Sequence, residues 1–170
     1  MIQVTTKADI RGGVVVGHDG SDASSQAVRW SARMAVRLGI GLHVVRAWAL
    51  SSAPRPATAT GGYVPPMTDF EQAVREELEA EVAALGLPSE CSVTAHVLHG
   101  AATKRLLQAA ENAELLVVGS RGEGGFRGLR FGSTADQVVR YAPCPVVVVP
   151  VTAAHEPTDP DSKLGATPEA

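Results

Sequence analysis

The sequence predicts an α/β fold with an open, five-stranded parallel sheet flanked by helices. Of its 170 residues, 45% are apolar but only 4% are aromatic, so valine, alanine and leucine must supply the core. Short runs that are valine-rich and apolar throughout are typical of strands buried on both faces. Segments with helical spacing separate these runs, and this alternation indicates βαβ crossovers. The length fits one domain with a substantial core.

The first βαβ unit occupies residues 14–48. Val14–Val16 is a short β-branched run, and Leu42–Trp48 is the second predicted strand. Between them, Ser21 or Asp22 can cap a helix that Gly39 ends. The apolar stripe of this helix recurs every three to four residues at Ala27, Trp30, Met34 and Leu38.

The remaining elements follow the same alternation. Residues 68–71, Thr-Asp-Phe-Glu, form a capping box that predicts the start of the second helix, and Gly86 and Pro88 end it. Alternation at Val93, Ala95 and Val97 predicts the third strand. The later elements are predicted as a helix at 101–113, a strand at 115–118, a helix at 134–141 and a strand at 145–149.

Two segments lie outside this pattern. Ser51–Pro66 is rich in proline, alanine, threonine and glycine and is long for a loop in a compact domain, so we predict a mobile insertion. Residues 151–170 are polar and contain proline, which predicts a disordered C-terminal tail after a single domain at 1–150.

Charge and composition narrow the classes of function. The net charge is −3 and no basic tract exists, which argues against general binding to nucleic acid or to anionic membranes. Cys91 and Cys144 give neither a disulfide framework nor a metal-ligand cluster. No apolar stretch has the length of a membrane span and the N-terminus lacks the apolar region of a signal peptide, so we expect a soluble, cytoplasmic protein.

The most informative segment is the glycine-rich run after the fourth predicted strand. Gly119 is followed by two residues, Gly122, nine residues, Gly132 and then Ser133. A strand that opens into a glycine-rich loop and then a helix can hold phosphates, because glycine permits close backbone approach and the N–H groups at the helix start point at the anion. Positive charge in this loop comes from Arg121, Arg127 and Arg130.

Together with residues 17–21, Gly-His-Asp-Gly-Ser, this spacing resembles the universal stress protein family, in particular its ATP-binding branch. The resemblance covers about Gly12 to Pro150 and includes the Ala142-Pro-Cys-Pro145 segment before the last strand. It implies that strands one and four lie side by side. The ligand crevice of such a sheet lies beyond the carboxyl ends of the strands, where the strand order reverses.

The resemblance also implies roles for individual residues. Asp19 would hold the ribose hydroxyls, and the main chain at Ala47 would read the adenine edge. Gly119 and Gly122 would let the backbone pass close to the ribose and phosphates. The full set of nucleotide-binding candidates is Gly17, His18, Asp19, Ala47, Gly119, Arg121, Gly122, Gly132, Ser133 and Thr134. The implied cofactors are ATP and Mg²⁺ on its phosphates, with no catalytic residue and no protein ligand to a metal.

These observations predict an ATP-binding universal stress protein that acts as a nucleotide-responsive regulator of the stress response. An ATP-hydrolysing or cyclic-AMP-binding member of the same fold and a nucleotide-free interaction module stay open as alternatives. The Walker A loop, the dinucleotide fingerprint and the nucleophile elbow are all absent from the sequence.

The expected protein partner is a second copy of the chain. Residues 145–150, Pro-Val-Val-Val-Val-Pro, are apolar and β-branched, and the resemblance puts them at the sheet edge. Unpaired backbone groups at such an edge are satisfied by antiparallel pairing with the same strand of another copy. We therefore predict a homodimer through Pro145–Pro150.

Overall fold

The computed structural model describes residues 4–121 and 131–151. Helices and strands alternate as predicted: β1 (Val14–Gly17), α1 (Asp22–Leu38), β2 (Leu42–Trp48), α2 (Met67–Ala84), β3 (Val93–His99), α3 (Ala102–Ala109), β4 (Leu115–Gly119), α4 (Ser133–Tyr141) and β5 (Val146–Val149). The five strands form one sheet in the order β3-β2-β1-β4-β5, and every pairing is parallel. The predicted fold class is confirmed.

Helices cover both faces of this sheet. On one face α1 contacts β1, β4 and β5 while α2 contacts β3; on the other, α3 contacts β1 and β2 while α4 contacts β5. Successive residues of β1 serve opposite faces, since Val14 and Val16 pack in the α1–α2 core and Val15 packs in the α3–α4 core. Burial on both faces is the physical reason that the central strands β1 and β4 are apolar throughout.

Helix α1 has the predicted ends but a different buried face. Ser21 caps it by accepting a hydrogen bond from the Ser24 N–H at 3.2 Å, and Gly39 ends it in the left-handed conformation with φ of 65°. The predicted apolar stripe is confirmed only in part: Ala27 is buried and Trp30 packs against the core, but Leu38 is 58% exposed. The buried face consists mainly of small residues: Ala23, Ser24, Ala27, Val28, Ser31, Ala32 and Ala35. Small side chains let the helix lie close to the sheet.

Helix α2 starts one residue before the predicted capping box. Met67 is its first residue and Pro66 occupies the N-cap, so the capping-box prediction was wrong. Two consecutive prolines keep the chain extended up to Pro66 and leave the helix free to begin directly after it. Glu71 instead accepts hydrogen bonds from the backbone N–H of Thr5, at 3.0 and 3.2 Å.

Helix α3 is shorter than predicted and ends at Ala109. The next residues turn toward β4, and the Asn112 carbonyl accepts a hydrogen bond from the Gly12 N–H at 2.8 Å. That contact joins the turn to the chain just before β1. Among the described helices, none combines the length and apolarity needed to cross a lipid bilayer.

Segment 51–66 connects β2 to α2 through a series of turns. Pro56 and Pro65 are buried, and the Thr58 hydroxyl donates to the Asp69 carboxylate at 2.6 Å. Between the two prolines the chain is exposed, with Tyr63 at 60% and Val64 at 83%. The mobility predicted for this insertion stays a prediction. The disordered tail predicted at 151–170 lies outside the described residues except for Val151.

Candidate functional site

The candidate crevice lies where the strand order reverses. The chain runs from β1 through β2 to β3 on one side of β1 and then places β4 on its other side. Counted along the parallel register, position 19 is level with Ala47 on β2 and with Ser120 after β4. The structure therefore brings Asp19, Ala47 and Gly119 together at the carboxyl ends of neighbouring strands, as the sequence predicts for a ligand crevice.

The start of α4 lies at the same carboxyl ends of the strands. The Gly132 N–H donates to the Ser120 carbonyl at 2.8 Å, which joins the start of α4 to the end of β4. Gly132 is the N-cap residue, in an extended conformation, and no side chain of the described residues caps the helix. Ser133 and Thr134 form the start of the first turn, with Ser133 exposed. Uncapped N–H groups at a helix start favour an anion.

Asp19 organises the loop between β1 and α1. Its Oδ1 accepts hydrogen bonds from the Ser21 N–H at 3.0 Å and the Ser21 hydroxyl at 2.5 Å. The Asp19 N–H donates a hydrogen bond to the Ser24 hydroxyl oxygen at 3.3 Å. The carboxylate thus holds a turn, and this role is compatible with a second contact to a ligand.

Gly119 has a packing reason to be glycine that does not depend on a ligand. A Cβ at this position would lie 2.9 Å from the backbone carbonyl carbon and oxygen of Ala23 at the start of α1. Gly17 is less restricted, because a Cβ there would meet the flexible side chain of Leu106 at 3.0 Å. Arg121 is exposed, whereas Gly122, Arg127 and Arg130 lie outside the described residues.

His18 is the predicted site residue whose side chain is most withdrawn from solvent, with 1% exposure. Its Nδ1 lies 3.3 Å from Glu81 Oε2 on α2, and its Nε2 lies 3.5 Å from the Ser25 hydroxyl on α1. Burial, reinforced by the Arg46 charge and opposed by Asp19, lowers the pKa of His18 to about 4. The side chain is neutral near pH 7 and is directed into the α1–α2 layer, so its main chain is the part that borders the crevice.

Sequence reasoning missed two features of the site. Ser120 joins three elements, because its N–H donates to Val149 O at 2.8 Å, its carbonyl accepts from Gly132, and its hydroxyl accepts from the Val151 N–H at 3.3 Å. Arg46 interrupts the apolar β2 strand and pairs with Glu77 and Glu81 of α2. A charged residue inside a buried strand was the available signal for the second feature.

The described residues contain no group of three or more histidine, cysteine, aspartate or glutamate side chains that could hold a metal ion.

Comparison with known sequences gives one family. The sequence model of the universal stress protein family matches residues 12–150. A universal stress protein of Mycobacterium tuberculosis is 31% identical over 156 residues, which cover 81% of this chain and 48% of that protein. A Thermus aquaticus universal stress protein is 35% identical over 145 residues, covering 80% of this chain and 96% of that one. The chain spans about half the length of its mycobacterial relatives.

Solved structures give the same result for the fold. A universal stress protein crystallised in complex with cAMP superposes with a TM-score of 0.53 at 26% identity, covering 82% of this chain and 95% of that one. A universal stress protein from Lactobacillus plantarum superposes with a TM-score of 0.61 at 21% identity, covering 83% and 99% of the two chains.

Proposed function

Because the chain belongs to the universal stress protein family, we propose that it is an ATP-binding, nucleotide-responsive regulator of the stress response. The observation that carries this proposal is that Asp19, Ala47 and the uncapped start of α4 lie together at the carboxyl ends of the strands. A carboxylate, main-chain groups at the end of a strand and helix-start N–H groups are respectively suited to a ribose, a base edge and phosphates. The solved relative in complex with cAMP supports an adenine nucleotide as the ligand.

In the proposed complex, Asp19 accepts hydrogen bonds from the ribose hydroxyls while its Oδ1 continues to hold Ser21. Ala47 presents main-chain groups to the adenine. The first turn of α4 and the hydroxyls of Ser133 and Thr134 bind phosphate oxygens, assisted by the positive end of the helix dipole. Mg²⁺ would be held by phosphate oxygens and water, since the described residues offer no cluster of metal ligands.

Cyclic AMP is the second candidate ligand, because it is the molecule bound in the similar solved protein. It shares the adenine and ribose of ATP, but its cyclic phosphate occupies the 3′ oxygen. Asp19 would then face one free ribose hydroxyl instead of two. The two ligands should therefore respond differently to changes at Asp19.

The first test is the nucleotide that the purified protein carries. Heat-released ligand is identified by mass spectrometry, and calorimetry then measures the affinities for ATP, cyclic AMP and adenosine. We expect bound ATP and a dissociation constant in the micromolar range. ADP with measurable turnover would support a hydrolase instead, and an empty protein without measurable affinity would support the interaction module.

We also propose that the protein is a homodimer joined through β5. This strand lies at the sheet edge, with β4 as its neighbour in the described sheet. Pairing with the same strand of a second copy would satisfy the backbone groups on its other side.

A further inference from the structure

A partly buried network of charged side chains lies next to the loop that carries Asp19. The Arg46 side chain is 13% exposed, and its Nη2 lies 3.0 Å from Glu77 Oε2 while its Nη1 lies 3.4 Å from Glu81 Oε2. The same Glu81 oxygen is 3.3 Å from His18 Nδ1. Glu81 therefore joins α2 to β2 through Arg46 and lies next to His18 at the end of β1, where the buried His18 Nδ1 makes no hydrogen bond with the described residues.

Glu81 also borders the other side of Asp19. Gly20 has a φ of 86°, and a Cβ built on it would lie 3.2 Å from Arg46 Nη1 and 3.3 Å from Glu81 Oε1. Gly20 consequently lies close to the Arg46–Glu81 ion pair, and a side chain at this position would crowd the pair. The Glu81 carboxylate thus lies next to both neighbours of Asp19: its Oε2 is 3.3 Å from His18 Nδ1, and its Oε1 is 3.3 Å from the position that a Cβ on Gly20 would take.

Glu77 provides an internal contrast. It pairs with Arg46 at the shorter distance, yet it makes no hydrogen bond or ion pair with the described residues of the β1–α1 loop. Both glutamates lie on α2 one helical turn apart and both are partly exposed, at 39% for Glu77 and 33% for Glu81. Both glutamates pair with Arg46, but Glu81 lies next to the β1–α1 loop and Glu77 makes no hydrogen bond or ion pair with the described residues of this loop.

We propose that Glu81, held in place by Arg46, is a positioning residue for nucleotide binding that fixes the backbone on both sides of Asp19. This inference rests on the proposed function, because the carboxylate that it orients is the one assigned to the ribose. Neutral His18 fits the arrangement, since an uncharged imidazole can lie buried against the shared carboxylate without a second buried cation. Glu81 itself touches no ligand in this arrangement.

The test compares Glu81→Gln with Glu77→Gln in the full chain. Each variant removes one carboxylate charge beside Arg46 and keeps the side-chain shape. We expect Glu81→Gln to weaken ATP and adenosine alike by about tenfold, because a displaced Asp19 affects the ribose that both share. Glu77→Gln should change either affinity by about twofold or less.

A second measurement does not depend on any nucleotide. Amide hydrogen exchange at Gly20 and Ser21 in the ligand-free protein should accelerate in Glu81→Gln and stay near the wild-type rate in Glu77→Gln. Arg46→Lys, which keeps the positive charge, should recover most of the affinity that Arg46→Met loses. The midpoint of thermal unfolding is measured for Glu81→Gln and for Glu77→Gln. If the two midpoints fall equally while only Glu81→Gln loses nucleotide affinity, the loss of affinity does not come from a general loss of stability.

The outcomes separate the two proposals. If the wild-type protein binds no adenine nucleotide, the proposed function fails, and the exchange rates alone decide whether Glu81 fixes the loop. If the wild type binds ATP but the two glutamine variants have equal affinities and equal exchange rates, the positioning role of Glu81 is wrong. A loss of ATP affinity with unchanged adenosine affinity in Glu81→Gln would also overturn it.

Discussion

Asp19 combines a structural task with the proposed ligand contact, and a single substitution can separate the two. Asparagine keeps an oxygen that can accept from the Ser21 N–H but loses the negative charge. We expect Asp19→Asn to weaken ATP and adenosine alike by about 1–3 kcal/mol, because a charged acceptor for two hydroxyls is lost. Cyclic AMP, with one free hydroxyl, should lose less. Titration calorimetry measures all three affinities.

Ser21→Ala is the control for Asp19, since it removes the hydroxyl that Asp19 accepts from and leaves the carboxylate in place. It should have a smaller effect on nucleotide affinity than Asp19→Asn. If Asp19→Asn weakens ATP but not adenosine, Asp19 belongs to a phosphate or metal site instead.

Gly119 is predicted to matter for stability even without nucleotide. A Cβ would lie 2.9 Å from backbone atoms of Ala23, which cannot move aside as a flexible side chain can. We expect Gly119→Ala to lower the free energy of unfolding by about 1–3 kcal/mol through overpacking. Urea unfolding of the ligand-free protein measures this change.

Gly41→Ala is the matched control for Gly119, because the nearest atoms to its added Cβ are at an ordinary 3.9 Å. It should leave the free energy of unfolding almost unchanged. Equal stability of Gly119→Ala and Gly41→Ala would contradict the close packing of α1 on β4.

At the scale of elements, a histidine pair makes the β2–β3 contact sensitive to pH. His43 Nδ1 and His96 Nε2 lie 3.0 Å apart. Burial lowers the pKa of both imidazoles, and the neighbouring charges of His43 and Arg75 contribute to the pKa of about 4 for His96. Between pH 6.5 and about 4 the unfolded chain binds a proton that folded His96 does not. Stability should therefore fall as the pH falls through this window.

His96→Gln should make the free energy of unfolding less dependent on pH in this window. Buried His18 has its pKa shifted in the same direction, so part of the wild-type slope should remain in the variant. Above about pH 7.5 the imidazoles of His18 and His96 are neutral in both the folded and the unfolded chain. The free energy of unfolding should therefore depend on pH in the same way in the wild type and in His96→Gln. If His96→Gln leaves the pH dependence of the free energy of unfolding unchanged between pH 6.5 and about 4, the pKa of His96 is not lowered in the folded protein.

Segment 51–66 leaves the carboxyl end of β2, beside the proposed adenine position, and its exposed part includes Tyr63. If the segment folds over bound nucleotide as a lid, ATP should slow chymotrypsin cleavage after Tyr63. Burial of Pro56 and Pro65 confines such a movement to the turns between them. Cleavage at an ATP-independent rate would leave only a connecting role for the segment.

For the whole molecule, the hydrogen-bond pattern of β5 shows which of its residues could join two copies. Leu116 N–H donates to Pro145 O at 2.9 Å, and Ser120 N–H donates to Val149 O at 2.8 Å. In a parallel pair, alternate residues bond to the neighbour. The backbone groups at positions 145, 147 and 149 therefore face β4, and those of Val146 and Val148 face the open edge.

Val148→Pro should convert the predicted dimer into a monomer. It removes an outward N–H and leaves the β4–β5 hydrogen bonds in place, because proline is tolerated at an edge position whose N–H faces away from the sheet. Val148→Ala, which shortens the side chain but keeps the N–H, should remain dimeric. Light scattering gives the mass of each protein. A monomeric wild type at tens of micromolar would contradict the interface.

Local sequence patterns determined the elements and their alternation along the chain, and the family resemblance implied that β1 and β4 lie side by side. Valine-rich runs, helical spacing and terminal glycines act over a few residues, so they indicated β1 to β5, the parallel sheet and the crevice beside Asp19 and Gly119. The same glycine spacing indicated the start of α4 as an anion site. These predictions needed no knowledge of which side chains meet across the fold.

Tertiary structure decided which faces and partners those elements use. Helix α1 packs its small residues on the sheet, with Ala23 close to Gly119, and exposes Leu38 in its last turn. His18, Arg46 and Glu81 lie on separate elements and come together only when α2 packs on the sheet. A local pattern cannot specify such pairs, since their energy depends on the distance and burial that packing creates between distant parts of the chain.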